Sequence, residues 1–227
     1  MANQLDLEEQ EQLDELKAFW KQYGNAITIV LTLALLAFAG WNLYQRWQQN
    51  QATQAAALFD EVERTAVAGD TVKLDRVFAD MKDKFPNTTF AQQAGLVAAR
   101  VYFEGAKPEQ SKAALTWVAE KASDEGYQAI AKLRLAGVLM ESAVYEEALK
   151  LLAGAYPAEF AALVADRKGD IFMLQGKNSE ARAEFEKAYK GFDERADYRR
   201  LVEVKLGALG VNPKAETPAP VAVEDKK

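Results

Sequence analysis

The sequence contains neither cysteine nor histidine among its 227 residues. Without cysteine, the chain forms no disulfide, offers no thiolate nucleophile and lacks the usual ligand of structural zinc. Without histidine, it lacks the usual general base near neutral pH and the commonest metal ligand, so Ser-His-Asp and Cys-His mechanisms are excluded. We therefore predict no metal or other cofactor.

The sequence also lacks an excess of basic residues. Its 28 lysines and arginines stand against 34 acidic residues, for a net charge of −6. No basic stripe runs along the chain, and such a stripe is the usual sign of a nucleic-acid partner. We predict neither nucleic acid nor a small-molecule substrate as a partner.

One stretch near the N-terminus has no charged residue at all. It runs from 22 to 45 between Lys21 and Arg46, and a helix of this length crosses the hydrocarbon core of a bilayer at ~1.5 Å per residue. Aromatic residues flank both of its ends, as at two membrane–water interfaces: Trp20, Tyr23, Trp41, Tyr44 and Trp47. The pattern predicts a transmembrane anchor over residues 22–45, in contact with the lipid bilayer.

Two other interpretations of this stretch are a buried core helix and a cleaved signal peptide. Ala37-Phe38-Ala39 has the small-x-small pattern of a cleavage site. However, the preceding residues are long and acidic, whereas a signal peptide begins with a short basic region. An uncleaved anchor is favoured.

Residues 1–21 are predicted to form a short amphipathic segment, with Leu13, Leu16 and Trp20 on one face. Lys17 and Lys21 lie close to the anchor on this side, against Arg46 on the other. This bias places the N-terminus in the cytoplasm and the larger domain on the opposite side.

The remaining chain is patterned for helices, and nothing in it alternates with period two. We predict a helical repeat domain over residues 46–211, with helices at about 72–84, 90–104, 108–122, 127–142, 145–153, 158–175, 179–191 and 194–209. Gly126 is expected to divide two of these helices. Residues 212–227 contain three prolines and few large apolar side chains, so we predict a disordered tail.

Two tandem segments fit the tetratricopeptide repeat. The better match has small, aromatic and glycine residues in the expected order: Gly169, Phe172, Gly176, Ala181, Phe185 and Ala188. The preceding segment repeats this order 33 residues earlier, with Ala148 in the place of Ala181. A third match over 90–122 is looser, and residues 55–85 keep only the character of a helix pair.

The predicted fold is all-α: one transmembrane helix, followed by a tetratricopeptide-like α-solenoid of antiparallel helix pairs. Its curvature stays open because the usual repeat proline is missing.

The layout as a whole resembles the YfgM family of bacterial inner-membrane proteins. The resemblance covers about residues 5–212 and rests on EEQEQLDELKAFWKQYGN before the span, on AALFDEV and KDKFPNTTFAQQAGLVAAR after it, and on the DRKGDIFMLQGKNSEARAEFEKAY repeat. It implies an ancillary subunit of the SecYEG translocon in the inner membrane. It also implies a periplasmic repeat domain that works with the membrane-anchored chaperone PpiD on emerging substrates.

Acidic residues are the only candidates for catalysis. Asp166 and Asp170 share one helix face, as a pair of carboxylates does in glycoside hydrolases. They lie among lysines and arginines, as on an ordinary solvated helix. We predict that the protein is not an enzyme.

A protein-binding groove is the better hypothesis for this domain. The first helix of each repeat pair lines the concave side, and the residues expected there are Ile130, Leu133, Met140, Leu163, Asp166, Asp170, Met173 and Leu174. The plain alternative is that most of them pack against neighbouring helices.

Two functions stay open from the sequence. The first is a membrane-anchored interaction or scaffold protein of the secretion machinery. The second is an adaptor that links the state of the envelope to a cytoplasmic stress-response regulator through residues 1–21.

Overall fold

The computed structural model describes residues 7–213 and forms two compact units, which divide between Thr53 and Gln54. The first six residues of the N-terminal segment, and nearly all of the predicted tail, lie outside the described residues. The described part contains helices and turns and no strand. The predicted fold class is confirmed.

The division between the units falls inside the first helix. The helices are α1 (Leu7–Ala68), α2 (Thr71–Lys84), α3 (Thr89–Glu104), α4 (Pro108–Lys121), α5 (Glu125–Glu141), α6 (Tyr145–Leu152), α7 (Ala161–Leu174), α8 (Asn178–Gly191) and α9 (Asp197–Ala208). A short 3-10 turn, Ala158–Phe160, precedes α7.

Polar side chains fix several helix starts. Asp70, Thr88 and Asp124 each accept a hydrogen bond from a backbone N–H in the first turn of α2, α3 and α5. The cap at Asp124 explains why Gly126 lies inside α5 and does not divide two helices, contrary to expectation. Helix α9 begins at Asp197, later than predicted, because Asp193 holds a turn through the N–H groups of Arg195 and Ala196.

The same turn follows the first helix of four successive pairs. In each, a residue with positive φ precedes an N–H that bonds to the carbonyl oxygen five residues earlier. The four residues are Gly69 (φ 67°), Ala106 (55°), Ala143 (58°) and Gly176 (73°). The bonds are Asp70 to Thr65 (3.3 Å), Lys107 to Tyr102 (2.8 Å), Val144 to Leu139 (2.9 Å) and Lys177 to Phe172 (2.9 Å). The repeat therefore extends back to residues 55–85, where the sequence pattern is weak.

Close helix approach defines the best-matching repeat. A Cβ atom added at Gly169 would lie 2.5 Å from the Phe185 ring, so α7 and α8 meet at this glycine. Phe185 and Ala181 are fully buried. Gly169 and the small side chain of Ala181 thus let the two helices approach closely, and Phe185 fills the space between them.

The repeat domain has two hydrophobic clusters. The larger runs from the end of α1, with Ala55 and Val62, through to Val164 and Ile171 of α7. The smaller gathers side chains of α7, α8 and α9 around Phe185 and Leu206. Helix α9 thus covers the last repeat, as a capping helix of a solenoid does.

Candidate functional site

Three polar side chains in the apolar part of α1 form hydrogen bonds within the helix. Thr28 and Thr32 donate hydrogen bonds of 2.8 Å to carbonyl oxygens four residues earlier, and Asn42 donates one of 3.3 Å to Phe38. Hydrocarbon offers no hydrogen-bond partner, so a spanning helix must satisfy such groups internally. These residues are thus compatible with lipid on all sides.

Among the described residues, α1 is the helix that is long and apolar enough to cross a membrane. None of the residues in its apolar window is buried. All of the predicted interface aromatics are exposed: Trp20, Tyr23, Trp41, Tyr44 and Trp47. Tyr44 lies between Trp41 and Trp47, with ring centroids 6.4 and 6.1 Å apart, so the three rings form one exposed belt.

In the repeat domain, the first helices of three pairs (α3, α5 and α7), together with α4, line an open groove of about 340 Å³. Its floor is apolar, with Ala99, Leu115 and Val138. Phe103 and the predicted residue Met140 lie along it, and Phe103 is 45% exposed. The groove has the size of a small ligand cleft.

The other predicted apolar residues are distributed between the core and the surface. Ile130 and Leu133 are partly buried and pack against the larger cluster, as Met140 also does. Leu163 is partly buried, whereas Met173 and Leu174 are exposed. The structure thus brings Met140 to the groove and gives Ile130 and Leu133 a packing role.

The two predicted carboxylates meet a lysine from α9. Lys205 Nζ lies 2.8 and 2.9 Å from the two oxygens of Asp166 and 2.7 Å from Asp170 Oδ1. Tyr198 Oη donates a 2.8 Å hydrogen bond to Asp166 Oδ2. Because Asp166 is only 1% exposed, this network ties α9 to α7 and leaves little of that carboxylate for a ligand.

Burial changes the acid–base behaviour of this network. It raises the pKa of Asp170, and the bond from Lys205 opposes that change. Burial, and then the bond to Asp166, raises the pKa of Tyr198 to about 12. These shifts accompany an internal ion pair, which accounts for both carboxylates without catalysis.

Sequence reasoning missed three arginines that line the same groove. Arg100, Arg134 and Arg167 lie on α3, α5 and α7. Arg134 and Arg167 are equivalent repeat positions, each nine residues before the positive-φ residue of its turn, whereas Arg100 lies six residues before Ala106. The 33-residue spacing of Arg134 and Arg167 is the sequence signal for this pair, and no repeat position identifies Arg100.

The sequence matches the family model described as "Tetratricopeptide repeat-like domain" over residues 17–211. A protein of Neisseria gonorrhoeae named "Ancillary SecYEG translocon subunit" is 32% identical over 204 residues, which are 89% of this chain and 98% of that relative. The chain belongs to the YfgM family of tetratricopeptide repeat-like proteins.

Relatives of the same name occur in other bacteria. Those of Escherichia coli and Haemophilus influenzae are 26% and 27% identical over 89% of this chain, and the matches cover 97% and 98% of the relatives. These matches include both the apolar helix and the repeats. The predicted family is confirmed over nearly the whole length of its members.

Proposed function

We propose that the protein is a membrane-anchored interaction and scaffold subunit of the bacterial secretion machinery, ancillary to the SecYEG translocon. The observation that carries this proposal is the match to a translocon subunit over 89% of this chain and 98% of that relative. An array of helix pairs suits the role because it offers an extended surface to other proteins. A PpiD-like periplasmic chaperone is the proposed second partner, acting with this protein on emerging substrates.

The proposed location is the inner membrane, crossed once by residues 22–45. Lys17 and Lys21 against Arg46 support a cytoplasmic N-terminus and a periplasmic repeat domain. The exposed aromatic belt supports the position of the second interface, near Trp41 and Trp47.

Within the repeat domain, the proposed contact surface is the groove between α3, α5 and α7. Met140 and the half-exposed Phe103 supply apolar contacts there. Met173 and Leu174 are exposed on α7 and extend the candidate surface. Ile130 and Leu133 pack against the larger hydrophobic cluster and are not part of this surface.

Photo-crosslinking in cells tests the proposed partners. A photoreactive residue is placed in turn at positions of α1 between Gly24 and Tyr44 and at Leu174. Adducts with translocon subunits from α1, and with a chaperone or an emerging chain from Leu174, are expected. Absence of any such adduct at every position would contradict the proposal.

Substitution of Met140 and Met173 by aspartate tests the surface. Loss of partner co-purification from a folded variant supports it, whereas unchanged co-purification from both folded variants contradicts it.

Removal of residues 1–21 distinguishes the scaffold from the adaptor. For a scaffold, the contacts with the translocon should survive the removal and no other function should be lost. For an adaptor, the same contacts should survive but signalling to the cytoplasmic regulator should fail, and that failure would favour the adaptor.

A further inference from the structure

Three arginines form a ladder along the groove of the repeat domain. Arg100, Arg134 and Arg167 lie on successive first helices and line one cavity of about 340 Å³. Arg100 and Arg134 also line an adjoining cavity of about 410 Å³, together with Phe59 and Leu96. Because the two cavities share these arginines, the basic face is longer than a single small-molecule cleft.

The ladder is poorly neutralised by the protein's own acids. Within the described part of the chain, Arg134 has no carboxylate in ion-pair range, and its side chain is exposed. Arg100 reaches Glu104 only at 4.0 Å, and Arg167 reaches Asp170 at 3.9 Å. Asp170 is already bound by Lys205 at 2.7 Å, so little of its charge is left for Arg167.

The positive charges of neighbouring arginines in the groove also repel one another. Loss of hydration in the groove lowers the pKa of Arg134, and the positive charge of Arg100 lowers it further. Arg167 lies against α5, since its Nη1 is 4.0 Å from the place that a Cβ of Gly137 would take. Such a cluster of like charges in a protein of net charge −6 becomes more stable when an anion binds between them.

The lining between the arginines is apolar and is broken by two acids. Phe103 and Met140 give contacts for hydrophobic side chains, whereas Glu63 and Glu141 repel a uniformly charged polyanion. Guanidinium groups bind carboxylates through two parallel hydrogen bonds. The chemistry therefore suits separated carboxylates that alternate with apolar side chains, as in a peptide, better than a nucleic acid.

We propose that Arg100, Arg134 and Arg167 form a docking site for an acidic, partly apolar peptide segment of a partner protein. This inference rests on the proposed role of the repeat domain as a binding module. It adds the chemical character of the partner and the side chains that recognise it.

The experiment measures peptide binding to the full chain in lipid nanodiscs. The probe is a fluorescein-labelled peptide of about twelve residues with alternating glutamate, leucine and serine, and its twin has glutamine for every glutamate. Fluorescence anisotropy is expected to show binding of the acidic peptide that is at least about tenfold tighter than that of its twin, since charge-assisted hydrogen bonds are lost with the carboxylates. Binding is expected to weaken as NaCl rises from about 50 to about 500 mM.

Substitutions locate the site. Arg134→Gln is expected to weaken binding of the acidic peptide by roughly tenfold, and the triple change of Arg100, Arg134 and Arg167 to glutamine is expected to abolish it. Arg76→Gln is the matched control, because Arg76 is exposed on α2 and lines neither cavity. Circular dichroism confirms that each variant is folded.

Equal binding of the two peptides, or equal weakening by Arg76→Gln, would overturn the inference. So would tighter binding of a single-stranded oligonucleotide of equal charge, or self-association of the chain that depends on Arg134. The proposed function fails separately, because translocon co-purification is measured on the same variants. If co-purification persists while the acidic peptide does not bind, only the docking site is contradicted.

Discussion

The two ends of the face formed by α3, α5 and α7 differ in whether their charged side chains are neutralised within the fold. At the C-terminal end, two acidic side chains of α7 are covered by α9, whose Lys205 lies within 2.9 Å of both. Further along, Arg134 has no such partner among the described residues and is exposed in a groove. Asp166 and Arg167 are adjacent in sequence, yet one is bound within the fold and the other lines the open groove.

This difference distinguishes stability from binding. A buried charge is tolerated when its partner is built into the fold, and removing that partner is then costly. An exposed charge without a partner adds little to stability and is free for another molecule. The covered end should therefore respond to substitution through the free energy of unfolding, and the open groove through affinity for partners.

The largest expected effect is at the covered end. Lys205→Met leaves Asp166 buried without its counter-charge, so we expect a loss of about 3–5 kcal/mol in the free energy of unfolding. Urea unfolding of the full chain in detergent, followed by circular dichroism, measures it. Lys84→Met removes the exposed pair with Asp80 and should change stability by less than about 1 kcal/mol. Equal losses in the two variants would show that the buried network does not hold α9.

Packing beneath the covered end should give the next largest effect. Gly169→Ala places a Cβ 2.5 Å from the Phe185 ring, and the resulting shift of α8 should cost roughly 1–3 kcal/mol. Gly207→Ala is the matched control, since no atom lies within 4 Å of its added Cβ. Thermal unfolding should show a lower melting temperature for the first variant and an unchanged or higher one for the second. A lower melting temperature for Gly207→Ala than for Gly169→Ala would contradict the close approach of α7 and α8.

A smaller effect is expected at Tyr198. Tyr198→Phe removes the hydrogen bond to Asp166 and should cost about 1 kcal/mol near neutral pH. Because the pKa of this tyrosine is raised from 10.0 to about 12 in the fold, its contribution is present below pH 10 and is lost as pH rises to 12. The unfolding free energy of the unchanged protein should therefore fall more steeply over this window than that of the variant. An equal pH dependence of the unfolding free energy in the two proteins would contradict a role of the hydrogen bond from Tyr198 to Asp166 in stability.

The smallest effect on stability is expected at the open groove. Arg134→Gln removes an exposed charge that has no counter-charge in the described structure, so the unfolding free energy should change by less than about 0.5 kcal/mol. The same urea unfolding measures it beside Lys205→Met. A loss above 2 kcal/mol would place Arg134 among the structural residues and remove the contrast between the two ends.

The helical architecture could be predicted because its signals are local. Glycine and proline positions, side-chain caps and the spacing of small residues gave most helix bounds within a few residues. The predicted helix bounds were wrong where a single side chain determines the residue at which a helix begins. Asp124 starts α5 before Gly126, and Asp193 delays the start of α9.

The site was harder to predict because it depends on which helix covers which face. Asp166 and Asp170 fall on the expected helix, but their environment is set by Lys205, 39 residues after Asp166. No local pattern reveals that α9 folds over them. Arg134 and Arg167, by contrast, have the repeat spacing of 33 residues and could be found by comparing charged positions, whereas Arg100 is out of this register.

Photo-crosslinking from the groove and from a surface outside it tests the central claim most directly. A photoreactive residue replaces Phe103, which is 45% exposed in the groove, or Val72, which is 59% exposed on α2 and lines neither groove cavity. In cells, the position of Phe103 should give discrete adducts with a partner of the secretion machinery, and Arg134→Gln should reduce them. The position of Val72 should give none of these adducts. Adducts of equal strength from both positions, or none from Phe103, would contradict a partner-binding groove.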